Sequence, residues 1–427
     1  MNRMDPLNRS RLMYIFQAAL EYLIAILVSG TYLATLTAEL GISDSLTGII
    51  SSIISLGCLF QLLSFFLRKG SVKKLVLGLS IVNQLLFMLL YIIPLPAGGG
   101  SLRIAAFVVM IVLAYLIYNM ILPKKTAWLM SLVEENHRGR FTANKEIFSL
   151  VAGMVYTFVM GTVVDHFKAV GEVRTAFLIC AATIFGLIIL HTIVMLATIS
   201  TPEAEAPARD LRNGLKAVFG NKKVLQVTFL FVLWNAANYS ALPFYGTYQI
   251  KELGFSLQLV SIITIVSSLA RIAVSRFWGA YADRHSFARL VRWCFLIAAL
   301  GFGAVVFSNP ANGLVLFSVY SICHAVALGG INSALTNLCY DYAPVETRAD
   351  ALAFIQAMSG LTGFLTTLAV SPLVSRIQEN GNSLFGIPLY AQQVTSILAF
   401  VLTAAVVVYI GAVLLRQPKA PAAEQKR

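Results

Sequence analysis

The chain has 427 residues, of which 58% are apolar and only 12% are charged, and its formal net charge is +13. A soluble domain carries about 25% charged residues, so this composition, with a mean hydropathy of +0.79, excludes a water-soluble globular fold. The chain belongs in a lipid bilayer, where its positive excess meets anionic headgroups, and the charge therefore predicts no nucleic-acid partner.

Runs of about 20 apolar residues, the length that crosses a bilayer as an α-helix, recur along the whole chain. We predict twelve membrane spans, at 13–37, 45–67, 75–95, 103–133, 146–166, 174–198, 224–247, 257–280, 290–308, 313–339, 351–375 and 393–415. The prediction is an all-α membrane protein with a six-helix bundle at 1–199, a cytoplasmic linker at 200–223, a second six-helix bundle at 224–416 and a polar cytoplasmic tail at 417–427. Within the linker, 209–220 is typical of a short amphipathic helix on the membrane surface.

The two halves share sequence elements. The Gly-Thr-Tyr element at 30–32 recurs at 246–248, and Arg138, which lies between two apolar runs, has a counterpart in Arg348. Both pairs are separated by about half the length of the chain. An internal repeat of this size in an apolar chain is typical of membrane transporters.

The Lys and Arg residues predict the orientation of the spans. With the N-terminus in the cytoplasm, most of the 32 Lys and Arg residues fall in cytoplasmic segments. The outward loops carry Arg103, Lys168, Arg174, Lys251 and Arg376. This asymmetry follows the positive-inside rule and places both termini in the cytoplasm. The five cysteines lie in or beside spans without metal-ligand spacing, so we predict no metal and no cofactor.

Glu21 is the one acidic residue that lies deep in a predicted span. It is roughly 13 Å from the cytoplasmic end of the first span, and Gln17 lies one turn earlier on the same face. An ionised carboxylate at this depth is costly unless it is paired or faces water. We therefore predict that Glu21 is a proton-coupling group and that Gln17 belongs to the substrate site. The alternative is a structural Glu bonded to a neighbouring helix.

Cations inside the spans are also few. Lys124 and Lys125 lie in the fourth span, near Tyr118 and Asn119, and Arg271 lies in the eighth. We predict that at least one of the two lysines faces the carboxylate of the first span, and we assign all five residues to the substrate site. The excess of positive charge favours a solute that bears a carboxylate or a phosphate. The alternative is that the lysines snorkel to the membrane interface.

Uncharged polar side chains interrupt the spans of the second half. The candidates for the substrate site are Trp234, Asn235, Asn238 and Tyr239 in the seventh span, Asn332 in the tenth and Gln356 in the eleventh. Side-chain amides in a bilayer need partners, so they face the bundle interior or a wet cavity; hydrogen bonds between helices are the alternative role. For His324 in the tenth span, the alternatives are a proton-coupling group and a packed neutral ring. We interpret His191 in the sixth span as peripheral.

The loop after the eighth span reads Gly-Ala-Tyr-Ala-Asp-Arg at 279–284 and is followed by basic residues. It resembles the cytoplasmic signature loop of the major facilitator superfamily, and Arg-Gly-Arg-Phe at 138–141 resembles a sequence common in bacterial members. The resemblance covers about 13 to 415. It implies alternating access by two six-helix bundles, a cavity lined by spans 1, 4, 7 and 10, and a multi-pass protein of the bacterial cytoplasmic membrane. We expect a monomer.

The resemblance also implies a gating role for charged residues at the cytoplasmic ends of the spans. The candidate gating residues are Arg138, Arg140, Asp283, Arg284 and Arg348. Charge-assisted pairs among them would hold one conformational state and break in the other. The alternative is that they are ordinary positive-inside residues.

Motifs of other functional classes are missing from the sequence. It contains no P-loop, no His-Glu-x-x-His and no Gly-x-Ser-x-Gly, so we predict neither an ATP-driven pump nor an enzyme. Drug antiporters of the superfamily carry a Gly-Pro-rich element in the fifth span, which 151–161 lacks. We therefore predict proton-coupled symport of a small polar or anionic organic solute. The alternative is a proton-coupled exporter of amphipathic drugs or metabolites.

Overall fold

The computed structural model describes residues 5–61, 71–95, 100–134, 138–199, 218–343, 348–384 and 386–415. The helices of the first half are α1 (Pro6–Leu27), α2 (Gly30–Glu39), α3 (Asp44–Ser52), α4 (Gly57–Gln61), α5 (Val72–Leu89), α6 (Gly100–Met130), α7 (Arg138–Ala169) and α8 (Val173–Ala197). Those of the second half are α9 (Lys222–Thr247), α10 (Leu257–Arg284), α11 (Phe287–Val306), α12 (Gly313–Tyr342), α13 (Arg348–Glu379) and α14 (Ala391–Tyr409). A 3₁₀ turn (Ile53–Leu56) joins α3 to α4, and π turns follow α9 (Tyr248–Glu252) and α14 (Ile410–Leu414). A short antiparallel hairpin pairs β1 (Ser383–Leu384) with β2 (Ile387–Pro388).

Ten segments of the described chain are long and apolar enough to cross a membrane, counting α1 and α2 together as Pro6–Glu39. Apolar side chains such as Val155 and Leu300 are exposed on these helices, as expected for surfaces that face lipid. Each predicted span coincides with helix in the described part of the chain, so the prediction of an all-α membrane fold is confirmed.

The second and seventh predicted spans and the linker differ in detail from the prediction. The second span is broken into α3, the 3₁₀ turn and α4, and its remainder lies outside the described residues. The seventh span is α9, which is not among the ten apolar segments; polar residues such as Asn235 and Asn238 lower its hydropathy. The predicted linker helix at 209–220 lies outside the described residues except for 218–220, which are helical, and the tail at 417–427 also lies outside them.

Side-chain caps fix where several helices begin. The Ser43 hydroxyl accepts a hydrogen bond from the amide of Leu46 in the first turn of α3. The Asn221 side chain accepts from two amides at the start of α9, and Ser286 accepts from the amide of Arg289 in α11. Such caps satisfy amides that have no partner within the helix. The sequence pattern thus sets these boundaries locally.

The repeated Gly-Thr-Tyr element adopts two different conformations. In the first copy, Gly30 begins α2 in the left-handed region with φ of 53°, and the Tyr32 hydroxyl donates to the carbonyl of Thr157 at 2.9 Å. The second copy ends α9 and opens the π turn, where the Tyr248 hydroxyl donates to the carbonyl of Ser308 at 2.7 Å. The repeat therefore does not specify the same local structure in both halves.

The chain divides into two compact units. The first comprises Met1–Ala208 and Gln249–Ile262, and the second comprises Arg209–Tyr248 and Ile263–Arg427. A segment that follows α9 in the sequence, and that includes the start of α10, therefore packs within the first unit.

Polar contacts hold that segment in the first unit. The Asp165 carboxylate on α7 accepts hydrogen bonds from the amides of Leu257 and Gln258 at 3.0 and 2.7 Å. Lys251 Nζ lies 2.5 Å from Oδ1 of Asp44, whose side chain is 2% exposed. A carboxylate at the first amides of a helix satisfies unpaired donors and complements the positive end of the helix dipole.

Each unit has its own apolar core. In the first unit, Trp128 is fully buried among Tyr14, Val76 and Met195, which brings α1, α5, α6 and α8 together. In the second unit the core joins α9, α13 and the start of α14. Its buried members are Phe244, Val370, Val374, Ile377 and Ala391.

Candidate functional site

Glu21 and Lys125 form a buried ion pair in the first unit. Lys125 Nζ on α6 lies 2.5 Å from Oε1 and 2.7 Å from Oε2 of Glu21 on α1. The side chains of Glu21 and Lys125 are only 15% and 5% exposed. Removing one charge from such a pair leaves the other buried and uncompensated. Of the two candidate lysines the structure thus brings Lys125 to the carboxylate, while Lys124 is half-buried on the same helix.

Gln17 and His191 extend the ion pair into a larger polar network. Gln17 Nε2 lies 3.1 Å from Oε2 of Glu21 and 3.2 Å from Nε2 of His191. Gln17 is 1% exposed and His191 is 0% exposed. The interpretation of His191 as peripheral is therefore wrong, because α8 packs against α1 and turns this ring toward Gln17.

Aromatic rings and a further cation surround the pair. Lys125 Nζ lies 5.0 Å from the centre of the Tyr118 ring, and Lys145 Nζ on α7 lies 5.1 Å from the centre of the Tyr14 ring. Cation–π contacts of this kind stabilise ammonium groups that have lost water. The charge of Lys145 interacts electrostatically with both Glu21 and Lys125. A second cation thus lies close to the Glu21 carboxylate, which favours an anionic ligand.

Asn119 supports α6 rather than the ion pair. Its Nδ2 donates to the carbonyl of Tyr115 one turn earlier at 2.9 Å. Its amide also packs against Gly57 so closely that a Cβ atom there would overlap it. Gly57 therefore allows α4 to approach α6, and the predicted substrate role of Asn119 stays a prediction.

A second polar cluster lies in the second unit. His324 Nε2 on α12 lies 2.9 Å from Oδ1 of Asn238 on α9, and both residues are buried. The His324 ring stacks on Tyr320 with centroids 5.3 Å apart and lies 6.2 Å from the ring of Trp234. The half-buried Arg271 on α10 acts electrostatically on His324. Hydrogen-bonding groups beside an aromatic surface suit an organic solute that has both polar and apolar parts.

Of four other predicted substrate residues, two contact helix backbone rather than the two polar clusters and two have exposed side chains. The Asn235 amide donates to a carbonyl of its own helix, α9. The Tyr239 ring packs against Gly363 of α13. Asn332 and Gln356 have exposed side chains. The contacts of Asn235 and Tyr239 stabilise α9 and its packing on α13.

Four of the five predicted gating residues lie on described helices, but their side chains are outside what the structure describes: Arg138, Arg140, Asp283 and Arg348. Arg284 is exposed in the last turn of α10, where a cation complements the negative end of the helix dipole. The gating pairs stay a prediction.

Sequence reasoning missed several members of the two clusters. Tyr14 lies on the same face of α1 as Gln17 and Glu21, at helical spacing, and this spacing could have identified it. Tyr320 precedes His324 by four residues, so the same rule applies. Lys145 immediately precedes the predicted fifth span, and nothing in its local sequence distinguishes it from an ordinary positive-inside lysine.

Comparison by sequence identifies a family. The Major Facilitator Superfamily model matches residues 14–367, which is more than half of the chain. A comparison with curated protein sequences gives no match.

Solved structures share the fold across nearly the whole chain. The nucleoside transporter NupG is similar with a TM-score of 0.70 and 16% identity, covering 97% of this chain and 100% of that chain. The D-xylose-proton symporter has a TM-score of 0.69 and 13% identity, covering 95% of this chain and 97% of that chain. The POT family transporter PepTSo has a TM-score of 0.69 and 11% identity, covering 96% of this chain and 99% of that chain. At these identities the likeness shows the fold alone.

Proposed function

Because the chain belongs to the major facilitator superfamily, we propose that it carries a small polar or anionic organic solute by alternating access, as a proton-coupled symporter. The family and the membrane-spanning helices make it a multi-pass membrane transporter rather than an enzyme. We assign it to the bacterial cytoplasmic membrane as a monomer. Its partners are then the solute, protons and lipid.

The buried ion pair of Glu21 and Lys125 is the observation that carries the proposal. A carboxylate with little exposure inside a span is costly, and such groups mark proton and solute pathways. Glu21 is stabilised as an anion by one cation and by the amide of Gln17. It can therefore exist as a paired anion or, after protonation, as a neutral acid.

Competition for Lys125 links proton binding to solute binding. When a proton binds to a carboxylate oxygen of Glu21, the attraction between Glu21 and Lys125 falls. The ammonium group then needs a new partner, because an unpaired buried charge is costly. An anionic group of the solute supplies it, and Lys145 adds a second positive charge nearby. Proton and anionic solute thus favour each other's binding, as a symporter requires.

The second cluster, taken by itself, also has groups that suit an organic solute. Asn238 and His324 are hydrogen-bonded to each other, and the buried rings of Trp234 and Tyr320 lie beside them. Two structural neighbours are transporters of a nucleoside and of D-xylose, which are hydroxylated organic molecules. Nucleosides, sugars and small carboxylates are therefore the first classes to test.

Transport by purified protein tests the proposal. A thermal-shift screen with nucleosides, pentoses, short peptides and small carboxylates selects a solute, which is then labelled and offered to proteoliposomes. We expect wild type to accumulate it against its gradient when a proton gradient is imposed. Glu21→Gln should lose this accumulation and keep exchange of labelled for unlabelled solute, because the neutral amide does not titrate.

An exposed carboxylate provides the control. Glu172→Gln, at the N-terminal end of α8, removes a charge without touching the buried network and should accumulate solute like wild type. If Glu21→Gln accumulates solute with normal pH dependence, Glu21 is not the coupling group.

The ring cluster around His324 favours a second candidate function, export of amphipathic compounds, because the apolar rings of Trp234, Phe302 and Tyr320 pack there beside a polar imidazole. The two functions differ in the sign of the solute gradient that a proton gradient builds in oriented vesicles. Accumulation on the side toward which protons flow indicates symport, and accumulation on the opposite side indicates export.

A further inference from the structure

The Gln17 side chain lies between two hydrogen-bond acceptors. Its amide nitrogen is 3.1 Å from Oε2 of Glu21 and 3.2 Å from Nε2 of His191. An amide nitrogen carries two hydrogens, one for each of these neighbours. Nε2 of His191 must then offer its lone pair, so the ring hydrogen of the neutral imidazole lies on Nδ1.

This arrangement leaves a buried N–H group of His191 without an acceptor. Nδ1 of His191 is buried and has no hydrogen-bond partner among the described residues. A buried N–H donor without an acceptor destabilises the state that contains it. While Glu21 is ionised, the network therefore leaves one donor of the imidazole unsatisfied.

When Glu21 is protonated, Gln17 must accept a hydrogen bond from it instead of donating one. The new O–H group needs an acceptor, and Lys125 offers only N–H donors. A half-turn of the Gln17 amide brings its oxygen between the two neighbours. That oxygen accepts one bond from the Glu21 hydroxyl and a second from Nε2–H of His191. The ring hydrogen has then moved from Nδ1 to Nε2, so the network gains one proton in total, on Glu21.

We propose that His191 is a positioning residue for proton coupling, and that Gln17 and His191 change their hydrogen-bond directions together when Glu21 is protonated. The inference rests on the proposed function, since it requires Glu21 to be the proton-coupling group. In the protonated arrangement, Nδ1 of His191 carries only a lone pair and the unsatisfied donor disappears. The network therefore favours proton uptake by Glu21 more than an apolar ring at position 191 would.

Several charged or titratable groups face this network. On α6 these are Lys125 and Tyr118, on α7 Lys145, and on α1 itself Tyr14. Glu21 and Lys125 are the charged groups that act on His191. They stay in place in the variants of His191 described below, so a change in titration would come from the ring.

The hydrogen position on His191 can be measured directly. Protein labelled with ¹⁵N-histidine and embedded in lipid gives ring-nitrogen signals for its five histidines, and those missing from His191→Phe belong to His191. We expect Nδ1–H in wild type at alkaline pH and Nε2–H in Glu21→Gln at the same pH. In that variant Lys125 binds the carbonyl oxygen of the new amide, whose NH₂ group must then donate to the Gln17 oxygen. The same ring tautomer in both proteins would overturn the proposal.

The pH at which Glu21 is protonated gives a second measurement that needs no solute. The infrared band of the protonated carboxyl is identified as the one that Glu21→Gln abolishes. We expect His191→Phe to lower the midpoint of this titration by about one pH unit, a tenfold loss of proton affinity. The reason is that the unsatisfied Nδ1–H group, which destabilises the state with ionised Glu21, is absent from this variant. A wild-type midpoint in His191→Phe would contradict the positioning role.

Two further variants separate the role of the ring from a structural defect. His191→Gln keeps a group that can both donate and accept, and we expect it to restore the midpoint toward that of wild type. His166→Phe, at an exposed position on α7, should titrate like wild type. If no carboxyl band titrates in wild type at all, Glu21 is not the proton-coupling group and the proposed function fails. If the band titrates but the tautomer of His191 is the same in wild type and in Glu21→Gln, only the role of His191 is overturned.

Discussion

At the scale of single residues, the ion pair of Glu21 and Lys125 makes stability depend on both partners. We expect Lys125→Met to destabilise the protein by about 3–5 kcal/mol, because a carboxylate then remains buried without its cation. The loss should be largest at alkaline pH, where Glu21 is ionised, and should shrink as acidification neutralises the carboxyl. Unfolding of the purified protein by denaturant over a range of pH measures both effects.

A double-mutant cycle separates the pair from its surroundings. Glu21→Gln combined with Lys125→Met removes both charges, and we expect it to be more stable than Lys125→Met alone. If the effects of the two substitutions simply add, the two side chains do not interact in the folded protein.

The same residues show what the sequence can reveal about a site. A carboxylate deep in a span needs a partner, so pairing with a cation of the fourth span could be predicted from physical chemistry alone. The choice between Lys124 and Lys125 could not, because neighbouring residues point about 100° apart on a helix. The position of His191 could not be predicted either, because its ring meets Gln17 through packing of α8 on α1, which leaves no local pattern in the sequence.

At the scale of helices, Asp165 fixes the start of α10. Its carboxylate accepts from the amides of Leu257 and Gln258, and we expect Asp165→Ala to destabilise this turn by about 1 kcal/mol through loss of the two bonds and of the favourable charge. Hydrogen exchange should then accelerate at these two amides. In Glu172→Ala the same amides should exchange as in wild type, and equal protection in Asp165→Ala would contradict the capping role.

Helix positions were predictable from apolar runs, but breaks within spans were not. The break between α1 and α2 includes Gly30 in a left-handed conformation, but a single glycine in an apolar run does not by itself predict a break. The 3₁₀ turn before Gly57 lies where α4 approaches the Asn119 amide of α6. Such breaks depend on contacts between segments that are distant in the sequence, and the apolar pattern does not contain that information.

At the scale of the whole molecule, composition and repeat were enough to predict a membrane protein with two similar halves, and the family match agrees with this. The placement of Gln249–Ile262 in the first unit was not predictable. It depends on Asp44 and Asp165, which lie far from this segment in the sequence, so no local pattern identifies them as its partners.

The distribution of charge predicts which side of the membrane each loop faces. Moving the many cytoplasmic Lys and Arg residues outward is unfavourable, so both termini and the loop between α10 and α11 should lie inside. In a cysteine-free background, His285→Cys in that loop should react with a membrane-impermeant maleimide only after cells are opened. Ala311→Cys, exposed between α11 and α12, should react in intact cells. Labelling of both positions in intact cells would indicate leaky cells, and release of a cytoplasmic marker enzyme detects such leakage; the parent protein without cysteine gives the background labelling. The reverse pattern would refute the predicted orientation, and with it the assignment of Glu21 to the cytoplasmic half of the membrane.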